Sequence, residues 1–232
     1  TVSGSGAFVG GGNFNNAATK ESFIGGGAGN ANGGACSVIG GGSSNTTSGA
    51  HSSIVGGSSN SASGAHSTAV GGCTNSVAGT CSVIVGGKGN SASGCETFIG
   101  GGNCNETTST SDAATIAGGQ SNNIAANACD AVLGGGNTNL VSGDLGTVTG
   151  GGSNSATGSK SFVGGGCCNV AGGTASVRVG GISNTGCGSC SFVGGGQSNA
   201  DSGSIYNSLV GGCSNTLTGS VTGAFIGGGS NN

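Results

Sequence analysis

The sequence predicts an all-β protein, a parallel β-solenoid (β-roll) of about 15 coils, and three observations carry this prediction. Fifteen asparagines recur at a near-constant interval of 15 residues along the 232-residue chain. Glycine stands four and three places before each of them, and an aliphatic residue usually stands six places before. Because such a repeat is typical of coils stacked on one another, we expect residues 1–232 to form a single repeat domain.

The composition excludes several classes of protein. The chain has 59 glycines and no proline, and only 5% of its residues are charged. Disordered segments combine high charge with few β-branched residues, and collagen needs glycine at every third position together with proline. A net charge of −3 offers no basic surface for a polyanion. We therefore expect an ordered repeat that neither binds nucleic acid nor inserts into a membrane.

The first strand of each coil precedes its asparagine, and positions are numbered here from that asparagine. Position −6 is aliphatic in most repeats, as at Ile24, Ile39 and Ile54, and position −8 is usually serine or alanine. Residues two apart in a strand share a face. Positions −8 and −6 therefore predict one apolar face built of small and aliphatic side chains.

The opposite face of this strand, at positions −7 and −5, shows a compensation of volume. Six of the seven phenylalanines occupy −7, and each has glycine at −5. Where −7 is small, −5 is larger, as in the pair Ser53 and Val55. A strand packed into limited space requires such compensation, so we expect this face to be buried as well. The six residues, which form either core or a seam between chains, are Phe8, Phe23, Phe98, Phe162, Phe192 and Phe225.

Two buried faces on one strand indicate an oligomer. One face fills the interior of the coil, and the other would leave a large exposed apolar stripe unless a neighbour covered it. A homo-oligomer about a long axis satisfies this requirement, so we expect the partner to be the chain itself. Which face is core and which is seam is left open by the sequence.

A turn and a ladder follow the first strand. The glycines permit positive φ, and asparagine tolerates the left-handed region or bonds neighbouring backbone. Asparagines stacked in successive coils can also hydrogen-bond along the axis. We expect this structural role for Asn15, Asn30, Asn45, Asn60, Asn75, Asn90, Asn105, Asn122, Asn139, Asn154, Asn169, Asn184, Asn199, Asn215 and Asn232.

A short second strand comes next, with small or aliphatic residues at +2 and glycine at +4 in most repeats. The repeat lengthens after Asn105, Asn122, Asn199 and Asn215. Extra residues must bulge from a coil of fixed circumference, and irregular loops on a regular scaffold are common recognition sites. The candidate recognition residues on these stretches are Asp112, Asp130 and Tyr206, although tolerated insertion without function explains the same pattern.

Arg178 interrupts the aliphatic row at −6. Its own coil has Gly186 at +2, which leaves room for a long side chain, and the next coil carries Asp201 at +2. The spacing predicts a buried or half-buried pair of Arg178 and Asp201.

No pattern in the sequence indicates catalysis, a cofactor or a metal site. Cys187 and Cys190 are separated by two residues but lack a second ligand pair, and the eleven cysteines fall on many repeat positions. His51 and His66 occupy the same position in adjacent coils, so we expect them to stack at the surface. We expect a non-enzymatic protein with unpaired thiols.

Residues 37–49 read Ser-Val-Ile-Gly-Gly-Gly-Ser-Ser-Asn-Thr-Thr-Ser-Gly, and residues 61–67 read Ser-Ala-Ser-Gly-Ala-His-Ser. This pattern, which covers the whole chain, resembles the head repeats of trimeric autotransporter adhesins and similar arrays in phage and giant-virus fibre proteins. The resemblance implies a left-handed β-roll, three chains side by side, and a role in adhesion or as a fibre shaft. The coil here is longer by about one residue, with three successive glycines and many cysteines, which favours a virus or phage fibre.

The expected function is a non-catalytic fibre or adhesin shaft, a segment of a longer protein at a virion surface or an extracellular or cell surface. It would position an element that attaches to a host receptor or glycan through another region. A monomeric ice-binding solenoid is one alternative, but a file of Thr-x-Thr in successive coils is missing from the sequence. A self-assembling extracellular filament is the other alternative.

Overall fold

The computed structural model describes residues 1–202, 205–219 and 222–232. All regular elements in these ranges are β-strands, no helix occurs among them, and the strands pair in parallel. The predicted all-β parallel solenoid with a repeat of about 15 residues is therefore confirmed, with about 14 turns in the described residues.

The chain divides into two compact units, Thr1–Gly119 and Gln120–Asn232. Almost all strands are two residues long because each side of a coil is short. The strands of the first unit are β1 (Phe8–Val9), β2 (Asn16–Ala17), β3 (Phe23–Ile24), β4 (Ala31–Asn32), β5 (Val38–Ile39), β6 (Thr46–Thr47), β7 (Ser53–Ile54), β8 (Ser61–Ala62), β9 (Thr68–Ala69), β10 (Ser76–Val77), β11 (Val83–Ile84), β12 (Ser91–Ala92), β13 (Phe98–Ile99), β14 (Glu106–Thr107) and β15 (Thr115–Ile116).

The second unit continues the same alternation of strands. In its described residues the strands are β16 (Asn123–Ile124), β17 (Val132–Leu133), β18 (Leu140–Val141), β19 (Thr147–Val148), β20 (Ser155–Ala156), β21 (Phe162–Val163), β22 (Val170–Ala171), β23 (Val177–Arg178), β24 (Thr185–Gly186), β25 (Phe192–Val193), β26 (Ala200–Ser202), β27 (Ser208–Leu209), β28 (Thr216–Thr218) and β29 (Phe225–Ile226).

Within each unit the odd-numbered strands form one parallel sheet and the even-numbered strands form another. Each strand pairs with its equivalent in the next coil, so that Ile84 lies opposite Ile99 and Val77 lies opposite Ala92. A third side of the coil pairs through single residues at position −2, as Ser58 does with Cys73. Equivalent positions of successive coils therefore lie in straight rows.

The core is built from positions −8, −6 and +2, whose side chains point into the coil. Ile54 at −6 and Ala62 at +2 are fully buried, and Ser52 at −8 is 1% exposed. Positions −7 and −5 point outward, and Val38 and Val55 keep 40% and 57% of their surface exposed. The alternative left open by the sequence is thereby decided, because the −8/−6 face is the core and the −7/−5 face lies outside the single chain.

The corners of the coil depend on left-handed backbone. Non-glycine residues take positive φ at −9 and −1, as His51 (57°) and Ser59 (56°) do. At −3 the requirement for glycine is steric as well as conformational. Gly72 has φ 85°, and a Cβ there would lie 2.1 Å from the carbonyl oxygen of Gly87 in the next coil. A side chain at this position would therefore collide with backbone that cannot move.

Candidate functional site

The asparagines form a buried ladder along each unit, and Asn75 shows its repeating geometry. Its Nδ2 donates to the carbonyl of Gly71 in its own coil at 3.0 Å and to that of Gly87 in the next coil at 3.1 Å. Its Oδ1 accepts the backbone amide of Asn90 at 3.0 Å. Each side chain thus joins its own turn to the following one, mostly through bonds to backbone rather than to other amides.

The side chains at −7 and −5 lie on the outer face of the odd-numbered strands, and we call them the outer stripe. The row of phenylalanines at −7 belongs to this stripe. Phe8, Phe23 and Phe98 of the first unit keep 53%, 40% and 40% of their surface exposed. In the second unit Phe162 is half-buried, while Phe192 and Phe225 are exposed. The rings of Phe8 and Phe23 stack with centroids 5.3 Å apart. The stripe is continuous within each unit because its side chains in successive coils are separated by only one strand spacing.

The compensation of volume between −7 and −5 has a direct structural cause. The ring of each phenylalanine folds over the glycine two residues later, so that a Cβ on Gly100 would lie 3.4 Å from Cε1 of Phe98. At Gly194 the corresponding distance to Phe192 is 3.2 Å. Backbone is nearer still, because the same Cβ on Gly100 would lie 2.3 Å from the carbonyl oxygen of Ala117 in the next coil. Glycine at −5 therefore gives room both to this carbonyl and to the phenylalanine ring.

Arg178 is fully buried, but it forms no ion-pair contact with Asp201, which is also buried. In the described residues the ion pair in contact is Lys20 with Glu21, at 3.5 Å. Nη1 of Arg178 donates to Ser191 Oγ at 3.3 Å, and a Cβ on Gly186 would lie 2.0 Å from Nη2. Burial lowers the pKa of Arg178, and the negative charge of Asp201 opposes this shift. The expected buried pair is therefore near but not in contact.

The longer coils place their extra residues at one corner, after the second strand. In the two longer coils described throughout, the extra residues lie around 109–110 and 126–127. Oδ1 of Asp112 accepts the backbone amide of Cys95 at 2.8 Å, so this side chain anchors its loop. The other two longer coils include Gly203, Ser204, Ser220 and Val221, which lie outside the described residues.

Two of the three candidate recognition residues lie in one row of the second unit, far apart along it. Asp130 and Tyr206 both occupy position −9 of the second unit, and Tyr206 is 63% exposed. Four other coils separate them in the row, so the two side chains cannot contact one ligand of ordinary size. Asp112 lies in the first unit.

The corner at −9 of the first unit carries a row of polar side chains that sequence reasoning recognised only in part. His51 and His66 stack as expected, with ring centroids 4.9 Å apart and planes 5° apart. Glu21 and Cys36 precede them in the same row, and Cys81 and Glu96 follow. Reading the sequence down this one position, rather than along the chain, would have found all six.

A contact exists at one end of this row. Sγ of Cys36 donates to Oε2 of Glu21 at 3.4 Å. This hydrogen bond raises the pKa of the Cys36 thiol, and together with the nearby Lys20 it lowers the pKa of the Glu21 carboxyl. Both side chains are at the surface, so the effect of these shifts on stability is small.

In the ranges that the structure describes no disulfide is formed, although Sγ of Cys167 and Sγ of Cys168 lie 2.9 Å apart. No group of three or more His, Cys, Asp or Glu side chains in the described residues is arranged to hold a metal ion. The part of the chain that the structure describes also has no helix that could cross a membrane.

No protein-family model and no curated protein matches the chain. The features of the chain that bear on its function are the outer stripe, the asparagine ladder and the corner rows.

Proposed function

We propose that the chain is a non-catalytic shaft segment of a fibre or adhesin, assembled as a homotrimer through the outer stripe. The observation that carries this proposal is a continuous exposed apolar face on an otherwise closed solenoid. The shaft would hold a host- or surface-attachment element away from its base, at a virion surface or an extracellular or cell surface. It needs no cofactor for this role.

The size of the outer stripe in the first unit supports an interface. Phe8, Phe23, Val38, Val55, Val70, Val85 and Phe98 each keep between 40% and 57% of their surface exposed. Together they present roughly 500 Å² of apolar side chain, which is near the upper end for the largest patch on a monomer. A stable interface buries about 800 Å² on each partner, so the stripe of one unit supplies much of that area.

The geometry of the stripe favours other copies of this chain as its partners. The side chains project at a fixed interval along the stacked coils, and only another object with the same interval can match them along the whole length. Three copies about one axis would each place one stripe inward. The resemblance to trimeric adhesin heads and virus fibres supports the number three.

The ladders suit a mechanical role. Each coil is joined to the next by parallel backbone hydrogen bonds on its strands and by the buried asparagine, as Asn90 is to Gly102 at 3.1 Å. Elongation or bending must break many such bonds at once. A shaft of this construction transmits load without a large conventional core.

Charged substitutions in the stripe test the proposal. We expect Val38→Asp with Val70→Asp to convert the trimer to a monomer, because burying two unpaired carboxylates at each of three copies is unfavourable. The control places the same charges on the exposed outer face of the other sheet, with Thr46→Asp and Ser63→Asp. Molar mass from light scattering, with circular dichroism to verify folding, reads the outcome. A stripe variant that retains the mass of the unmodified chain would contradict the proposal.

One observation keeps ice binding as a second candidate. The outward side chains at +1 and +3 form hydroxyl pairs on the second sheet in several coils, such as Ser61 with Ser63 and Ser91 with Ser93, where the two Oγ atoms are 3.4 Å apart. These two pairs contain serine, which lacks the methyl group of threonine, and Thr216 with Thr218 is an isolated pair of threonines rather than part of a file in successive coils. A monomer that shows thermal hysteresis on freezing would favour this function, and a mass far above that of a trimer would favour a self-assembling filament.

A further inference from the structure

One corner of the first unit carries six potential metal ligands in six successive coils. We call this set the ligand row, and its members all occupy position −9: Glu21, Cys36, His51, His66, Cys81 and Glu96. Their φ angles fall between 55° and 57°. The backbone amide of each donates to a carbonyl of the preceding coil at 2.8 or 2.9 Å. The six side chains therefore leave the same kind of backbone at intervals of about one strand spacing, ~4.8 Å.

The order of residues in the ligand row is symmetric about the midpoint between His51 and His66. Each half presents a thiol in the middle coil, an imidazole on the inner side and a carboxylate on the outer side. These are the three side-chain types that bind zinc in proteins. Cys36 is half-buried and the other five side chains are exposed, so they can rotate without disturbing the core.

One distance already matches a metal site. Two ligands of a tetrahedral zinc ion, at about 2.3 Å for sulfur and about 2.1 Å for oxygen, lie ~3.6 Å from each other. Sγ of Cys36 lies 3.4 Å from Oε2 of Glu21. Lys20 pairs with the other carboxylate oxygen, Oε1, at 3.5 Å, so this ion pair leaves Oε2 available.

We propose that the ligand row binds two zinc-type divalent cations, one by Glu21, Cys36 and His51 and the other by His66, Cys81 and Glu96. In the described residues no three of these groups are close enough together to hold one ion. Each histidine must therefore rotate away from the other histidine, His51 toward Cys36 and His66 toward Cys81. Each thiol releases its proton to solvent on binding, and no oxidation state changes. Water completes the fourth position of each ion.

The second unit offers a matched control at the same corner. Cys190 is an exposed thiol at position −9 with φ 54°, and its neighbours in the row are Ala175 and Tyr206. It has the backbone and exposure of Cys81 without a histidine or carboxylate in an adjacent coil. Binding that depends on the ligand row must therefore be insensitive to Cys190→Ser.

Equilibrium dialysis of the reduced full chain against zinc chloride, followed by elemental analysis, tests the proposal. We expect Cys36→Ser to lower the bound zinc by one ion per chain, and Cys36→Ser with Cys81→Ser to lower it by two. Cys190→Ser should leave the bound zinc unchanged. Equal zinc in the unmodified chain and the double variant would overturn the proposal.

Cobalt provides a second readout that a folding defect cannot imitate. Co²⁺ bound to the unmodified chain should show a thiolate-to-cobalt charge-transfer band, which the double cysteine variant should lose while its circular dichroism stays unchanged. His51→Asn with His66→Asn should weaken cobalt binding by more than about tenfold, and asparagine tolerates the left-handed backbone at both positions. An unchanged cobalt titration in this histidine variant would contradict the assignment of the imidazoles.

Discussion

A single asparagine side chain satisfies backbone groups of two successive turns, so its loss should be costly. We expect Asn75→Ala to lower the free energy of unfolding by about 3 kcal/mol, because the buried amide of Asn90 loses its acceptor and the carbonyls of Gly71 and Gly87 lose a donor. Urea unfolding measures the change. Asn103→Ala, at an exposed position, is the control and should cost less than about 0.5 kcal/mol. Equal costs would contradict the ladder.

The left-handed corners store strain that glycine would relieve. Ala113 has φ 53° and is exposed. An L-residue in this region costs about 1–2 kcal/mol, against about 0.5–1 kcal/mol for the greater freedom of glycine in the unfolded chain. We therefore expect Ala113→Gly to raise the free energy of unfolding by about 0.5–1 kcal/mol. Ala50→Gly, at an exposed corner residue without positive φ, should lower it, and thermal or urea unfolding of both variants tests the difference in sign.

The buried charges of the second unit depend on each other although they are not in contact. Asp201→Asn removes the carboxylate that compensates the buried Arg178, while the amide oxygen can still accept the bond from Asn207 Nδ2 that Oδ1 accepts at 2.9 Å. We expect this change to lower the free energy of unfolding by about 3 kcal/mol. Asp144→Asn, at an exposed carboxylate of the same unit, should change it by less than about 0.5 kcal/mol. A cost for Asp201→Asn no greater than that of the control would show that Asp201 does not stabilise the arginine.

At the scale of the strand, phenylalanine at −7 and glycine at −5 form one packing unit. A double-mutant cycle on Phe98→Thr and Gly100→Ala should give an interaction energy of about 0.5–1 kcal/mol, because the alanine Cβ crowds the phenylalanine ring but not a threonine, whereas its conflict with the carbonyl of Ala117 is common to both backgrounds and cancels in the cycle. The free energies of unfolding of the four proteins in urea provide the cycle. Additive changes would show that the pairing of Phe with Gly has another cause.

The strands and their order could be predicted from sequence because the periodicity of 15 fixes which residues stack. Which face of the strand points inward could not be predicted from the sequence, since Ile54 and Val55 are similar in hydropathy. Only the structure shows that Ile54 fills the interior of the coil. The predicted contact between Arg178 and Asp201 does not form, because the guanidinium lies over Gly186 and does not reach the carboxylate in the next coil. The ligand row was missed because its six members are 15 residues apart, and no local motif joins them.

At the scale of the whole chain, the two faces of each strand have different tasks. The inner face and the asparagine ladder hold each unit together, whereas the outer stripe exposes valine and phenylalanine at a regular interval. The stripe of the first unit reaches the upper end of the apolar area that monomers expose, so we propose that other copies of the chain cover it. The shaft function, the fibre assignment and the number of chains all depend on this proposal.

The solution mass of the unmodified chain tests that proposal most directly. Sedimentation equilibrium in reducing buffer, over a range of concentrations, should give three times the 20.9 kDa of one chain. Reduction removes disulfide-linked aggregates, which the eleven cysteines could otherwise form. A mass of one chain at every concentration, with the fold intact by circular dichroism, would contradict the account, because the outer stripe would then be stable in water without a partner.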